Sequence, residues 1–221
     1  DVSSGSASAF LLGADNNLTT RTNSTTQVGR VTCPHYTITE DPFITISGVS
    51  TATGNAVEVG SNTASANAAS RISFYTGAAI TGNALATERM RIDSSGNVLV
   101  GKAVATGQTT AGIEARSDGV LIATKAGIVQ YLNRTGADGV ILNLAKDGAT
   151  VGGIGVGSGV LGIGQGTGNL GFLNASIIPM GNTSGGASNG VIDLGNGNRR
   201  FKDAYLSGSV TAGGLTVDGS L

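Results

Sequence analysis

Tryptophan is missing from these 221 residues, and the other aromatics are few: five Phe and four Tyr. Large rings normally supply much of the apolar area that a globular core buries, so a conventional single-chain core is hard to assemble here. Charge is scarce too, at 12% of residues against the roughly 25% of an average domain. Thirteen Lys and Arg against fourteen Asp and Glu leave a net charge of −1. That balance gives no basic footprint for nucleic acid and no polybasic patch for a lipid surface. No apolar run approaches the roughly 20 residues that span a bilayer, so membrane insertion is not expected. No signal-peptide pattern opens the chain, and a first residue of Asp1 suggests a piece of a longer protein. Cys33 is the single cysteine, which rules out an internal disulfide.

Glycine is what the chain has in abundance, 37 residues of it, accompanied by many Val, Ile and Thr. Disordered chains carry high net charge and few β-branched residues; this one has the opposite balance. The composition predicts an ordered chain that packs through small side chains and backbone contact, stabilised by association between chains.

No stretch sustains an apolar i, i+3, i+4, i+7 pattern over helical length. The best helical candidate, Ala64 to Arg71, is short and rich in Ser and Asn. Short alternating runs punctuated by Gly, Asn, Asp and Ser predict β-hairpins instead. In RMRIDSSGNVLVGK, Arg89 to Lys102, Met90, Ile92, Val98 and Val100 share one strand face, and Ser94 to Asn97 make a turn in which Gly96 is free to take a positive φ. Asp138-Gly139 and Asp147-Gly148 are turn signals on either side of a strand containing Val140, Ile141, Leu142 and Leu144. VGGIGVGSGVLGIGQGTGNLG, Val151 to Gly171, places glycine at nearly every second position, so that one strand face is bare backbone and the other a row of aliphatics. So many strand glycines imply close approach by another backbone, and the segment reads as packing between subunits.

Four stretches result: a polar opening segment 1–27, a first β module 28–101, a hairpin and glycine-rich β module 102–190, and a terminal shaft segment 191–221.

Little here carries chemistry. Cys33 and His35 flank Pro34, a spacing poorly suited to a nucleophile and its base, which must face each other across a site. One Cys and one His fall short of a zinc site; a three-fold axis would gather three His35 rings, but nothing in the sequence places His35 on an axis. Gly157–Gly162 and Gly166–Gly171 match G-x-G-x-x-G, yet no helix follows either, so neither is a dinucleotide site. Asp193, Asn196 and Asn198 resemble the start of a calcium loop, but Ala204 stands where the bidentate Glu is needed; a polar turn is expected. Glu40, Asp41 and Glu88 read as solvated carboxylates without partners. Tyr36, Phe43, Phe74 and Tyr75 are the aromatic candidates for stacking on a sugar, but they read better as the small core of the first module, with alternation turning Phe74 inward and Tyr75 outward. No catalytic, binding or metal-ligating residue is therefore assigned, and no cofactor is expected.

Three stretches resemble recurrent modules of bacteriophage tail fibres. GRVTCPHYTITEDPFITISG (Gly29 to Gly48), followed by NAASRISFYTGAAITGNALATERMRIDSSGNVLVGK (Asn67 to Lys102), resembles a block in which an HYTxxEDP-like segment leads to a TERMRI and GNV strand pair. LNRTGADGVILNLAKDGATVGGIG (Leu132 to Gly155) resembles a fibre hairpin, and GVIDLGNGNRRFKDAYLSGSVTAGG (Gly190 to Gly214) resembles the segment that precedes a C-terminal intramolecular chaperone-peptidase. Phe201 stands where that segment usually has Trp. The resemblance implies an all-β, elongated, intertwined homotrimer of hairpin and meander modules along a three-fold axis, with little or no helix. It implies a non-enzymatic virion component that presents or forms a surface for a bacterial receptor, a glycan or an outer-membrane protein, and joins other tail proteins. The alternatives are a cellular trimeric surface adhesin and a glycan-degrading tailspike domain; the latter needs a carboxylate pair in a groove.

Overall fold

A computed structural model describes residues 13–15, 20, 22–64, 66–77, 85–186, 188, 190, 192–199 and 201–214. Fourteen strands and no helix occur among them, so the protein is all-β. The Ala64 to Arg71 stretch is not helical where it is described. The chain divides into two units, Asp1–Gln130 and Tyr131–Leu221.

The first unit holds two antiparallel sheets. One consists of β1 (Ala14–Asp15), β2 (Gln27–Cys33), β3 (Phe43–Ser50) and β4 (Asn55–Val59), ordered as in the sequence. The other consists of β5 (Ile72–Thr76), β6 (Thr87–Ile92), β7 (Val98–Val100), β8 (Gly112–Ala115) and β9 (Leu121–Thr124), again in sequence order. The second unit holds a third sheet: β10 (Gly139–Lys146), β11 (Ala149–Gly157), β12 (Val160–Gln165), β13 (Gly168–Leu173) and β14 (Ser176–Met180). Strands β7 and β8 pair directly, from Val98 opposite Ala115 to Val100 opposite Ile113, so one sheet runs across residue 101.

Turn chemistry explains the hairpins. Between β6 and β7 the Asp93 carboxylate accepts from the Ser95 and Asn97 amides at 3.0 and 2.9 Å, and Gly96 takes φ 81°. The Arg116–Val120 turn after β8 repeats the same backbone bonds, and Asn97 ties the two turns together by accepting from the Ser117 amide at 3.1 Å. Asp147 and Gly148 adopt φ 50° and 79° between β10 and β11, the paired left-handed conformation that matches the twist of a two-residue hairpin. The polar opening segment is described only in part. Within it Asp15 is buried and accepts from the hydroxyls of Thr20, Thr22 and Thr25, the Thr22 amide and the Gln27 side-chain amide. These donors hold its carboxyl far below the usual carboxylate range.

Burial is inverted relative to an ordinary domain. Among the described residues the buried hydrophobic side chains are Ile44, Leu99, Val160 and Met180, while Asp15, Ser47, Asn97, Lys102, Glu114, Asn169 and Ser188 are buried and polar. The covered sides mix the two kinds, Leu99 standing opposite Glu114 and Met180 opposite Asn169, while many aliphatic side chains lie on open sides.

Candidate functional site

The open side is best defined in the β10–β14 sheet. Cross-strand register assembles one row from Leu142, Ile154, Ile163, Leu170 and Pro179, and a second from Gly139, Val156, Leu161, Phe172 and Ile177. Leu142, Leu161, Ile163, Leu170, Phe172 and Ile177 remain between 38% and 68% exposed. Neither row contains a charged residue. Covering the exposed part of one such side chain contributes on the order of 1 kcal/mol, so the two rows together hold several kcal/mol of association free energy.

Gly153, Gly155, Gly157, Gly162, Gly164 and Gly171 lie on the other side of the same sheet, where the close backbone approach read from the sequence is met in part within the chain. At Gly155, Gly157 and Gly162 that backbone comes from residues 183–185 of the same chain. After β14 the segment 181–186 folds back across β11 and β12. A Cβ added to Gly155 would lie 2.6 Å from the Thr183 carbonyl oxygen and 2.8 Å from that of Gly139, and one added to Gly162 would lie 3.3 Å from Thr183. Gly181 donates to the Gly186 carbonyl at 2.9 Å, closing this strap. Gly155, Gly157 and Gly162 are buried under this strap, while Gly153 is buried against Leu142 and Val140 and Gly171 against Met180 and Val160. Alternation predicted one bare and one aliphatic face; the strap decides which of them is left open.

The β5–β9 sheet has the same two-sided character. Met90 stands opposite Val100 and Ile92 opposite Val98, as the sequence predicts, and the rows extend to Phe74 and Ile113 and to Ile72 and Leu121. Phe74, Val100, Ile113 and Leu121 are exposed. On the reverse side, Leu99 and Glu114 lie beneath the loop 101–111. Lys102 pairs with Glu114 and donates to the carbonyls of Gly107 and Thr110, both at 3.2 Å, while the Thr106 amide reaches the same carboxylate at 3.0 Å. The second Glu114 oxygen has no partner. In the first sheet Val31, Ile46 and Val59 form an exposed row across β2, β3 and β4, whereas Ser47, on the opposite side of β3, is buried and donates to Glu58 at 3.0 Å.

Several expected placements change. Phe74 and Tyr75 are 49% and 52% exposed, so neither is core within the chain, and Tyr36 is wholly exposed; Phe43 is half-buried. A register shift between Phe74 and Tyr75 accompanies this geometry. Glu88 is not a free carboxylate. It pairs with Arg91 and accepts from the Tyr75 hydroxyl at 3.1 Å, and the Arg91 bond keeps its pKa below the ordinary value. Glu40 and Asp41 are exposed in the segment between β2 and β3. Cys33 is exposed at the end of β2, and His35 Nδ1 accepts from the Thr37 amide at 3.3 Å. Asn196 closes a polar turn, accepting from the Asn198 and Arg199 amides at 3.0 and 2.8 Å. Phe201 is exposed.

A concavity of about 900 Å³ runs along the first sheet, lined by Val31, Ile46 and Val57 with Thr22, Ser24 and Thr25 on its polar side. Among the described residues its lining includes no Asp, Glu, His or Cys, which are the groups that general acid-base or nucleophilic chemistry most often uses. Among the described residues no three His, Cys, Asp or Glu side chains cluster with metal-site geometry.

No protein-family model, curated protein or solved structure matches the chain.

Proposed function

We propose that this chain is a structural and adhesive segment of a bacteriophage tail fibre, acting as a non-enzymatic homotrimer that presents or forms a surface for a bacterial receptor. One observation carries the multimeric part: aliphatic rows lie open on the sheets while a Lys–Glu pair and several amides and hydroxyls are buried. A single chain gains little by that arrangement, because apolar surface left in water forfeits the main stabilising term of folding. Copies that cover one another's rows recover it. The attachment role is supported by the tail-fibre-like stretches Gly29 to Lys102, Leu132 to Gly155 and Gly190 to Gly214. Three copies of a weak receptor site then gain avidity through effective concentration.

Sedimentation equilibrium on the purified chain tests the multimeric part. A mass near 65 kDa, three times 21.7 kDa, is expected, and a clean monomer overturns it. Adsorption of the labelled trimer to intact bacterial cells, competed by unlabelled trimer, tests attachment; uncompeted or absent adsorption across a panel of hosts counts against it.

A further inference from the structure

We infer that the concavity along the first sheet binds a neutral oligosaccharide, and that Gly48 is bare so that the sugar can seat. The inference deepens the attachment reading above, on which it rests for the source of the sugar, and adds the site and the ligand class.

Cross-strand register builds the floor of the groove as three rows across β2, β3 and β4. Val31, Ile46 and Val59 form an aliphatic row. Gln27, Ser50 and Asn55 form a polar one. Between these, Gly29 and Gly48 stand opposite each other, with Val57 next to Gly48. The rows share one side of the sheet, because each is two residues from the next along every strand. The segment that enters β2, Thr22 to Thr25, completes the lining.

Gly48 carries the argument. Glycine inside a strand costs stability, and it is tolerated where the backbone bends, turns left-handed or admits a close neighbour. Gly48 meets neither of the first two needs. Its φ is not left-handed, and it pairs in unbroken register with Gly29 and Val57. No described part of the chain fills the space, since a Cβ added there would meet nothing within 4 Å. The third need is left, and the neighbour that approaches Gly48 lies outside the chain.

The lining selects the chemistry of that neighbour. Among the described residues it holds no Asp, Glu, Lys, Arg or His, so a charged ligand would lose hydration without meeting a counter-charge. The side chains of Asn23, Ser24, Ser50 and Asn55 line the groove with no hydrogen-bond partner among the described residues. A hydrocarbon ligand would bury these groups unpaired. A sugar suits both rows, because its ring carbons present an apolar C–H face while its edge carries hydroxyls that donate and accept. The volume of about 900 Å³ lies within the roughly 300–1,000 Å³ of small-molecule sites. No aromatic ring lines the groove among the described residues, so each copy binds weakly and gains from avidity.

An array of neutral and acidic bacterial oligosaccharides tests the site. The wild-type chain is expected to bind at least one neutral member. Gly48→Ile fills the trough and should weaken that binding roughly tenfold or more. Gly48→Ala, whose methyl group enters open space, should melt no lower than wild type. A lower melting temperature for Gly48→Ala means that the fold itself needs glycine there, and overturns the assignment. So does an array bound only through acidic sugars or not at all, or a Gly48→Ile chain that binds as wild type does. The double variant Ser50→Ala, Asn55→Ala adds no bulk and stays readable if Gly48→Ile misfolds. Its binding should weaken roughly tenfold, and undiminished binding overturns the site.

Two further readouts separate the rivals. A folded Gly48→Ile chain that sediments at a lower mass than wild type means that a copy of the chain fills the groove, which overturns the sugar. Adsorption to host cells that Gly48→Ile leaves unchanged overturns the groove and keeps the attachment reading. Array binding that Gly48→Ile abolishes, in a protein that adsorbs to no host, keeps the groove and rejects attachment.

Discussion

Leu99 and Glu114 stand directly opposite each other across β7 and β8, and neither side chain retains any exposed surface. A carboxylate this deep is tolerated because Lys102 and the Thr106 amide meet it, and the loop 101–111 is drawn over the sheet in the process. Removing one partner leaves the other buried without compensation. Glu114→Gln is therefore expected to lower the melting temperature at neutral pH by on the order of 10 °C. The pH dependence follows from the same bond. Lys102 holds the Glu114 carboxyl below its ordinary value of 4.5, against the opposing effect of burial. A depressed folded pKa contributes stability above the unfolded value and loses it as pH falls through the folded one. Wild-type melting temperature should fall as the pH drops below about 4.5, and that of Glu114→Gln should fall less steeply. Parallel curves for the two proteins would sink this account.

The strap across the glycine face predicts an ordering of two substitutions. Gly155→Ala places a methyl group against two backbone carbonyls, from Thr183 and Gly139, neither of which can rotate away; about 2–3 kcal/mol of destabilisation is expected. Gly148→Ala meets nothing within 4 Å but sits at φ 79°, where the cost is only the conformational penalty of about 1 kcal/mol. Chemical denaturation of the two variants decides the matter: equal costs, or the reverse order, mean that the strap is not seated as described.

Asp15 organises the turn that leads into β2. Asp15→Asn removes the charge and turns one of the two acceptor oxygens into a donor facing donors, so the Thr22 amide, bonded to Asp15 at 2.9 Å, should exchange its hydrogen faster. In the wild type the protection should hold from neutral pH down to the ordinary aspartate value of 3.8 and decline only in stronger acid, because the folded pKa lies far lower. Hydrogen exchange read by NMR at Thr22 provides the check, and loss of protection already at pH 5 would contradict it.

Local chemistry was legible in the sequence, and long-range cover was not. The Asp93 to Asn97 turn, the Asp147-Gly148 turn and the shared face of Met90, Ile92, Val98 and Val100 could all be read directly, because each is fixed within a few residues. Alternation likewise gave the two faces of Val151 to Gly171. The same alternation could not say what covers either face. That depends on Thr183, which lies 28 residues beyond Gly155 in a segment with no period of its own. Phe74 shows the same limit: an apolar residue at an inward position looks identical whether its cover is its own chain or nothing in that chain. Glu88 was missed as a paired group because its partner, Arg91, sits at a spacing that means little until the strand is bent. The Lys102–Glu114 pair carried no signal at all, since two opposite charges separated by a loop are common.

Every sheet is ordered exactly as its strands follow in the sequence, and this has a kinetic consequence. Among the described strands none waits for a distant partner, so each sheet can zip up hairpin by hairpin as the polypeptide emerges from the ribosome, with only local loops to close. Shape thus arrives early. Until its aliphatic side is covered, a completed sheet displays that side to other unfolded chains, which compete for it. Yield on expression should accordingly respond to synthesis rate and local chain density more than to any single substitution on the outer surface.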